Sequence, residues 1–156
     1  MRIFEGVFSN HYLNVAAFSW LSAQLMKFIL TLLINKKLDF TRITGSGGMP
    51  SAHTAFFCSL TTLILLLEGG RSSTFALAFC TTAVVMYDAT GVRRAAGEQA
   101  KILNKMVNAW VNDKGENPND FGKNLKELLG HSKTEVVAGL IYGVMIALLY
   151  YFLFLD

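Results

Sequence analysis

Glycine, proline, serine and histidine follow one another closely between residues 47 and 53, in the stretch GGMPSAH. Glycines ahead of a helix allow backbone N–H groups to converge on an anion, with the positive end of the helix dipole behind them. His53 would then lie in the first helical turn, and Pro50 suits the first helical position because it lacks an N–H group. The stretch predicts an anion site that involves Gly47 and Gly48. The alternative is a glycine-rich connection to a proline-initiated helix.

A second histidine precedes the last apolar segment, in the sequence HSKTE, where His131 and Glu135 stand four residues apart. Imidazole acts as a nucleophile and as a general acid near neutral pH, so His131 and His53 together suit the cleavage of a phosphoester. Two interpretations of Glu135 stay open. It can orient the imidazole of His131, or it can complete a capping box in which Ser132 is the N-cap.

Cationic side chains suited to phosphate oxygens lie in two other segments. Arg93 and Arg94 follow the third apolar segment, and a guanidinium group is planar and permanently charged. Their alternative role is to anchor the chain at lipid headgroups. Lys27 lies inside the first apolar segment, where an unpaired charge costs at least ~2.5 kcal/mol. We expect it to face the bundle and to pair with Asp88 or a bound phosphate, although it can also snorkel to the interface.

Asp88 has three interpretations. It can pair with Lys27, pair with an arginine, or bind a divalent cation. Because no second carboxylate stands beside it in the sequence MYDATG, we predict no metal site.

Apolar helices must position these residues. The chain has 156 residues, of which 53% are hydrophobic and 16% charged, and its mean hydropathy is +0.40. Soluble domains carry more charge. Four segments suit membrane insertion, the second being short for a span of roughly 20 residues: residues 13–34, 53–67, 73–90 and 136–155. Because lipid-exposed backbone must satisfy its own hydrogen bonds, we predict an all-α integral membrane bundle. It forms one domain, residues 1–156, with an interfacial segment at 1–12.

A polar insertion, residues 91–135, separates the third and fourth apolar segments. Its first part shows apolar residues at helical spacing, which predicts an amphipathic helix on the membrane surface or against the bundle: Ile102, Leu103, Met106, Val107, Trp110 and Val111. Further along, Asp120 can cap a short helix that ends near Gly130.

Basic residues are distributed unevenly between the two sides of such a bundle. With four crossings, residues 35–52 and 88–135 share one side. The opposite side holds only Arg2 and Arg71. The positive-inside rule then places the first side in the cytoplasm and both termini outside. The basic residues of the cytoplasmic side are Lys36, Lys37, Arg42, Arg93, Arg94, Lys101, Lys105, Lys114, Lys123, Lys126 and Lys133.

Small residues recur at four-residue spacing in the last apolar segment, at Gly139, Gly143 and Ala147. Such a stripe lets helix backbones approach closely. The stripe has two uses that the sequence leaves open. It can pack within the bundle, or it can pair two protomers as a homodimer.

Three longer stretches, GGMPSAHTA, MYDATGVRRAAGEQAKILN and KELLGHSKTEVVAG, occur in this order before the terminal apolar segment. Together they resemble the divergent phosphatidic-acid-phosphatase type 2 family, which is related to acid phosphatases and vanadium-dependent haloperoxidases. The similarity covers nearly the whole chain. The resemblance implies metal-independent phosphate transfer through a phosphohistidine, without a cofactor. It makes His131 the nucleophile, His53 the general acid, Glu135 the group that orients His131, and Ser51 a phosphate ligand.

The chain departs from the pattern of that superfamily in two places. An arginine should stand a few residues before His131, but none does, and Arg93 or Arg94 can replace it only from a different helix. The lysine of the first motif, with its later arginine–proline pair, has no counterpart at the right spacing. Lys27 is the candidate substitute.

These patterns lead to two hypotheses. The first is a membrane phosphatase that hydrolyses a lipid phosphomonoester at a cytoplasm-facing site, with a divalent-cation requirement left open. The second is a noncatalytic binder or transporter of anionic lipids, which retains the glycine-rich site and the arginines but needs no nucleophile. Both expect membrane lipids and a lipid phosphate as partners, and neither expects nucleic acid.

Overall fold

The computed structural model describes residues 6, 8–35, 48–114, 125 and 130–156. Over these residues the chain is helical, and the predicted all-α architecture is confirmed. The predicted short helix capped by Asp120 lies outside the described residues. The interfacial role of residues 1–12 stays a prediction. In chain order the helices are α1 (His11–Asn35), α2 (Ala52–Glu68), α3 (Ser73–Thr90), α4 (Val92–Lys114) and α5 (Lys133–Phe154).

Three helical stretches of the described chain are long and apolar enough to cross a membrane: His11–Leu33, Ser73–Val111 and Lys133–Phe154. The fourth apolar helix, α2, has 17 residues, which correspond to about 25 Å of helix against a hydrocarbon thickness of about 30 Å. The membrane helical bundle with a short second helix is therefore confirmed in its main outline.

The shortest apolar helix, α2, lies at the centre of the bundle and packs against α1, α3 and α5. Small and hydroxyl-bearing side chains make this packing close. Ser19 of α1 donates a hydrogen bond to the carbonyl oxygen of Ala55 at 3.1 Å. On the α3 side, the hydroxyls of Thr61 and Thr82 lie 2.7 Å apart. Such polar contacts stabilise helix pairs in lipid, where the hydrophobic effect between helices is weak.

The small-residue stripe of α5 packs against α2. A Cβ atom at Gly139 would lie 2.5 Å from the carbonyl oxygen of Ser51, and one at Gly143 would lie 2.5 Å from that of Ala55. Ala147 is fully buried. Of the two uses predicted for the stripe, the structure shows packing within the bundle. The homodimer stays a prediction.

Polar side chains join the helices at the end of the bundle where α1 begins. The Tyr12 hydroxyl donates to a Glu68 carboxylate oxygen at 2.9 Å. His11 Nδ1 lies 3.0 Å from the Tyr150 hydroxyl. These pairs tie the start of α1 to the ends of α2 and α5. His11 thus lies far from His53 and His131, which belong to the opposite end of the bundle.

Two local details differ from the sequence-based expectation. Ser51 is the N-cap of α2 and the helix begins at Ala52, so the prediction that Pro50 occupies the first helical position is wrong. The Ser51 hydroxyl does the capping, and this moves the start of the helix past the proline. Secondly, α4 is longer than the periodic stretch that predicted it, because it begins at Val92, directly after Gly91.

Candidate functional site

Three helix ends that are distant in sequence meet at one end of the bundle. The backbone N–H of Ser51, at the start of α2, donates to the carbonyl oxygen of Glu135 in the first turn of α5, at 3.1 Å. The backbone N–H of His131 donates to the carbonyl oxygen of Ala89, in the last turn of α3, also at 3.1 Å. These two bonds fix the starts of α2 and α5 and the end of α3 relative to one another.

Gly130 allows the chain to reach this position. A Cβ atom there would overlap the backbone of Arg94 and lie 2.9 Å from the carbonyl oxygen of Ala89. Only glycine therefore fits between the α3–α4 junction and His131. The sequence had suggested only that Gly130 ends a helix. A glycine directly before a candidate catalytic histidine was the available signal for this close approach.

The structure shows the backbone half of the predicted capping box and a contact between the Glu135 side chain and His131. The Glu135 backbone N–H donates to the Ser132 hydroxyl at 3.3 Å, so Ser132 caps α5 as predicted. The Glu135 side-chain oxygen Oε2 lies 2.7 Å from His131 Nδ1. A carboxylate accepts a hydrogen bond from Nδ1 when Nδ1 carries the proton, and in a neutral imidazole the lone pair then lies on Nε2. The contact thus favours the tautomer with a lone pair on Nε2.

His53 shares its surroundings with the second histidine. It lies in the first turn of α2 and is exposed. The cationic groups of Arg93 and Lys27 and the imidazole of His131 act on it electrostatically. The structure therefore brings both predicted histidines and two predicted phosphate ligands into one electrostatic environment. These are the groups that an anion at this end of the bundle would meet.

Lys27 faces the interior of the bundle, as predicted, with 3% of its surface exposed. Its aliphatic chain passes along Gly48, where a Cβ atom would lie 3.1 Å from Lys27 Cδ. Gly48 also has a φ of +87°, in the region that glycine occupies without steric cost. Gly48 is thus needed for both the turn and the approach of the lysine. Gly47, predicted to share the anion site, lies outside the described residues.

Arg93 and Arg94 pair with different carboxylates. Arg93 Nε donates to Asp88 Oδ2 at 2.6 Å, so Asp88 pairs with an arginine rather than with Lys27. Arg94 Nε donates to Glu98 Oε1 at 3.1 Å, one turn along α4. Arg93 acts electrostatically on His53, whereas Arg94 pairs with Glu98 along the surface of α4. The structure separates two residues that the sequence treated as one pair.

Ser51 was predicted to hold phosphate. In the structure its hydroxyl accepts hydrogen bonds from the Thr54 backbone at 3.4 Å and the Thr54 hydroxyl at 2.9 Å. The residue has no exposed surface. In this arrangement the Ser51 hydroxyl caps α2, and its role as a phosphate ligand stays a prediction.

Among residues 6, 8–35, 48–114, 125 and 130–156, no group of three or more histidine, cysteine, aspartate or glutamate side chains is arranged to hold a metal ion.

Known sequences resemble this chain over most of its length. The profile of the divergent PAP2 family matches residues 8–146. The chain belongs to this family. The match includes every candidate site residue, and it confirms the resemblance suggested by the three motif stretches. The chain is also 40% identical over 140 residues to the uncharacterized membrane protein YuiD of Bacillus subtilis strain 168. That alignment covers 85% of this chain and 89% of the relative. No solved structure matches the chain.

Membership in the family, together with the three apolar helices, establishes a membrane protein of a phosphatase-related family.

Proposed function

We propose that this protein hydrolyses a lipid phosphomonoester through a phosphohistidine formed on His131, at a site that faces the cytoplasm. The observation that carries the proposal is the 2.7 Å contact between His131 Nδ1 and Glu135, in an environment shared with His53 and Arg93. A nucleophile oriented by a carboxylate, beside a second imidazole and a cation, contains the parts that phosphoryl transfer requires.

In the first step, Nε2 of His131 attacks the phosphorus atom and a nitrogen–phosphorus bond forms. The bond between phosphorus and the lipid oxygen breaks, and His53 gives its proton to that oxygen as the lipid alcohol leaves. Positive charge develops on the imidazole of His131 in this step. The carboxylate of Glu135 stabilises it at hydrogen-bond distance.

In the second step, a water molecule attacks the phosphohistidine. His53, now neutral, takes a proton from the water as the new oxygen–phosphorus bond forms. The nitrogen–phosphorus bond breaks, inorganic phosphate leaves, and His131 returns to its initial state. His53 thus donates a proton in the first step and accepts one in the second.

Arg93 and Lys27 provide positive charge for the phosphate oxygens. Arg93 uses its Nε for Asp88, and a guanidinium group has five N–H donors, so its terminal nitrogens remain suited to phosphate. About two thirds of its side chain is exposed, at 66%. Lys27 approaches from α1 beside Gly48. The two cations enter from different helices and substitute for the lysine and arginine that the motifs lack.

An apolar groove between α2, α3 and α5 supports a lipid as the substrate. The groove has a volume of about 560 Å³ and is lined by residues that include Cys58, Thr61, Phe79, Met86, Thr90 and Leu140. It begins at Thr90, two residues after Asp88, and reaches Phe79, about 17 Å further along α3. A hydrocarbon chain in this groove would bring its phosphate to the end of the bundle where the histidines lie.

The noncatalytic alternative retains support from the arginines. Asp88 and Glu98 each accept a hydrogen bond from one of them, and no arginine stands a few residues before His131. A site with less positive charge binds a phosphate without stabilising the transition state for its transfer. In that case the protein would bind or carry an anionic lipid and leave it intact.

Phosphate release decides between the two hypotheses. The full-length protein, purified and reconstituted in lipid nanodiscs, is given a panel of lipid phosphomonoesters, with divalent cations and with chelator. The proposal expects release of inorganic phosphate from at least one of them, and inhibition by vanadate. Saturable binding of the same lipids without release would favour the alternative.

A further inference from the structure

The amphipathic helix α4 carries an exposed apolar face. Ile102 is 58% exposed and Met106 is 63% exposed. Leu103, Val107 and Trp110 continue the same face with exposures of 48%, 37% and 46%. A contiguous exposed patch of large apolar side chains usually marks a surface that contacts a protein, a membrane or a ligand. We therefore expect this face to contact an apolar environment.

The described part of the protein does not supply that environment. Among the described helices, α4 contacts only α3. Leu125 contacts α4 from another direction, because the Asn104 side chain donates to the Leu125 carbonyl oxygen at 2.9 Å and accepts from the Leu125 N–H at 3.0 Å. At 3.6 residues per turn, Asn104 lies about 160° around the helix from both Ile102 and Met106 and about 60° from Val107. Leu125 thus leaves Ile102 and Met106 uncovered.

The helix α4 directly follows the apolar helix α3, and this determines where α4 begins. The apolar stretch Ser73–Val111 covers 39 residues, about 58 Å if straight, which is roughly twice the hydrocarbon thickness. The helix is interrupted at Gly91, and α4 starts at Val92. Because α3 alone accounts for a span, α4 starts at the membrane boundary.

Cations on α4 match the headgroups at that boundary. Lys101 and Lys105 are exposed, and at 3.6 residues per turn they lie about 170° and about 130° from the centre of the apolar face, Lys105 being on the flank beside Ile102. An apolar stripe on one side with lysines on the other is the pattern of helices that lie in the membrane interface. The lysines then reach lipid phosphates while the apolar side chains enter the acyl region.

We propose that α4 lies in the plane of the membrane interface beside the candidate site, with Ile102, Leu103 and Met106 inserted among the lipids. Through its contacts α4 also holds two residues that precede His131, because Gly130 packs on the backbone of Arg94 and Leu125 is bonded to Asn104. A helix fixed at the membrane surface would thereby help to position His131. The inference does not depend on whether the protein hydrolyses a phosphoester.

A nitroxide scan tests this placement. Single cysteines are introduced at positions 101–106, in a variant in which Cys58 and Cys80 are replaced by alanine. The full-length protein is reconstituted in vesicles of equal parts phosphatidylcholine and phosphatidylglycerol. Accessibility to oxygen, which concentrates in lipid, is compared with accessibility to a water-soluble nickel complex. Val84→Cys on the exposed face of α3 gives the lipid reference, and Gly70→Cys in the α2–α3 turn gives the water reference.

The proposal expects the ratio of oxygen to nickel accessibility at 102, 103 and 106 to approach that at position 84. At 101 and 105 the ratio should be several-fold lower. High nickel accessibility at 102 and 106 would show that α4 projects into water and would overturn the proposal. Low accessibility to both reagents at these positions would overturn it too, because a second copy or another segment of the chain would then cover the face.

Discussion

The Nδ1 nitrogen of His131 lies 2.7 Å from a carboxylate oxygen of Glu135, while the backbone N–H of the same glutamate donates to the Ser132 hydroxyl. One residue thus takes part in the cap of α5 through its backbone and in the orientation of a histidine through its side chain. The two roles use different atoms and can be separated by mutation. This separation allows the catalytic interpretation to be tested without disturbing the helix.

Replacing Glu135 by glutamine should reduce kcat by about 10²–10⁴-fold, because a neutral amide stabilises neither the correct tautomer nor the developing imidazolium charge. The Ser132 cap persists, since the backbone N–H of residue 135 is unchanged. Phosphate release and the apparent Tm in nanodiscs measure the two effects. A Glu135→Gln protein with the kcat of the wild type would remove the orienting role.

The control for that variant is Ser132→Ala. It removes the cap of α5 and should lower the free energy of unfolding by about 1 kcal/mol. Its kcat should stay within a few-fold of the wild type, because the His131–Glu135 contact is retained. A loss of kcat as large as that of Glu135→Gln would indicate that the cap, and not the carboxylate, positions the histidine.

Arg93 and Arg94 should differ in their effect on substrate binding. Arg93 is a charged neighbour of His53, so Arg93→Ala should lower kcat/KM by about 10²-fold through loss of charge-assisted hydrogen bonds to phosphate. Arg94 pairs with Glu98 on the surface of α4, so Arg94→Ala should change kcat/KM by less than about threefold. Equal losses in the two variants would contradict the separation seen in the structure.

The glycine stripe of α5 should be intolerant of even one methyl group. A Cβ atom at Gly139 or Gly143 would lie 2.5 Å from a carbonyl oxygen of α2. Each Gly→Ala variant should therefore lose about 1–3 kcal/mol through overpacking, measured as a lower apparent Tm. Gly70→Ala is the control, since its Cβ atom would meet the Leu65 side chain at an ordinary 3.5 Å. Unchanged stability at Gly139 and Gly143 would show that α2 and α5 are not so closely packed.

The groove between α2, α3 and α5 should select for long hydrocarbon chains. Ala83 lines this groove, and Ala83→Phe should fill it, lowering kcat/KM for long-chain lipid phosphates and sparing short-chain, water-soluble ones. Val84→Phe, on the neighbouring exposed position, serves as the matched control and should affect neither. Equal losses for long and short substrates in Ala83→Phe would indicate damage to the site rather than to a chain-binding groove.

Much of the fold follows from the apolar segments. The stretch predicted at residues 73–90 is helical over that range, and Ser132 caps α5 as its sequence indicates. These features are local, because hydropathy and capping depend on neighbouring residues. The position of Pro50 was predicted wrongly because proline and serine both favour helix starts and stand side by side. In the structure the Ser51 hydroxyl caps the helix, so Pro50 lies before it.

The sequence identified the members of the site and some of its pairs. The four-residue spacing of His131 and Glu135 already suggested their contact, and an arginine was one of the partners considered for Asp88. The choice of Arg93 over Lys27 depends on tertiary structure, because Lys27 belongs to α1, and so does the contact of Gly139 and Gly143 with α2. The close approach at Gly130 likewise depends on a helix end more than thirty residues earlier in the chain.

The most direct test of the account is to trap the phosphoenzyme. Purified protein is mixed with radiolabelled lipid phosphate, quenched within the first turnover, and the labelled residue is located by peptide mapping. We predict an alkali-stable, acid-labile label on His131, absent from His131→Ala and present in the His11→Ala control from the opposite end of the bundle. Turnover by the His131→Ala protein, or a label on another residue, would contradict the account.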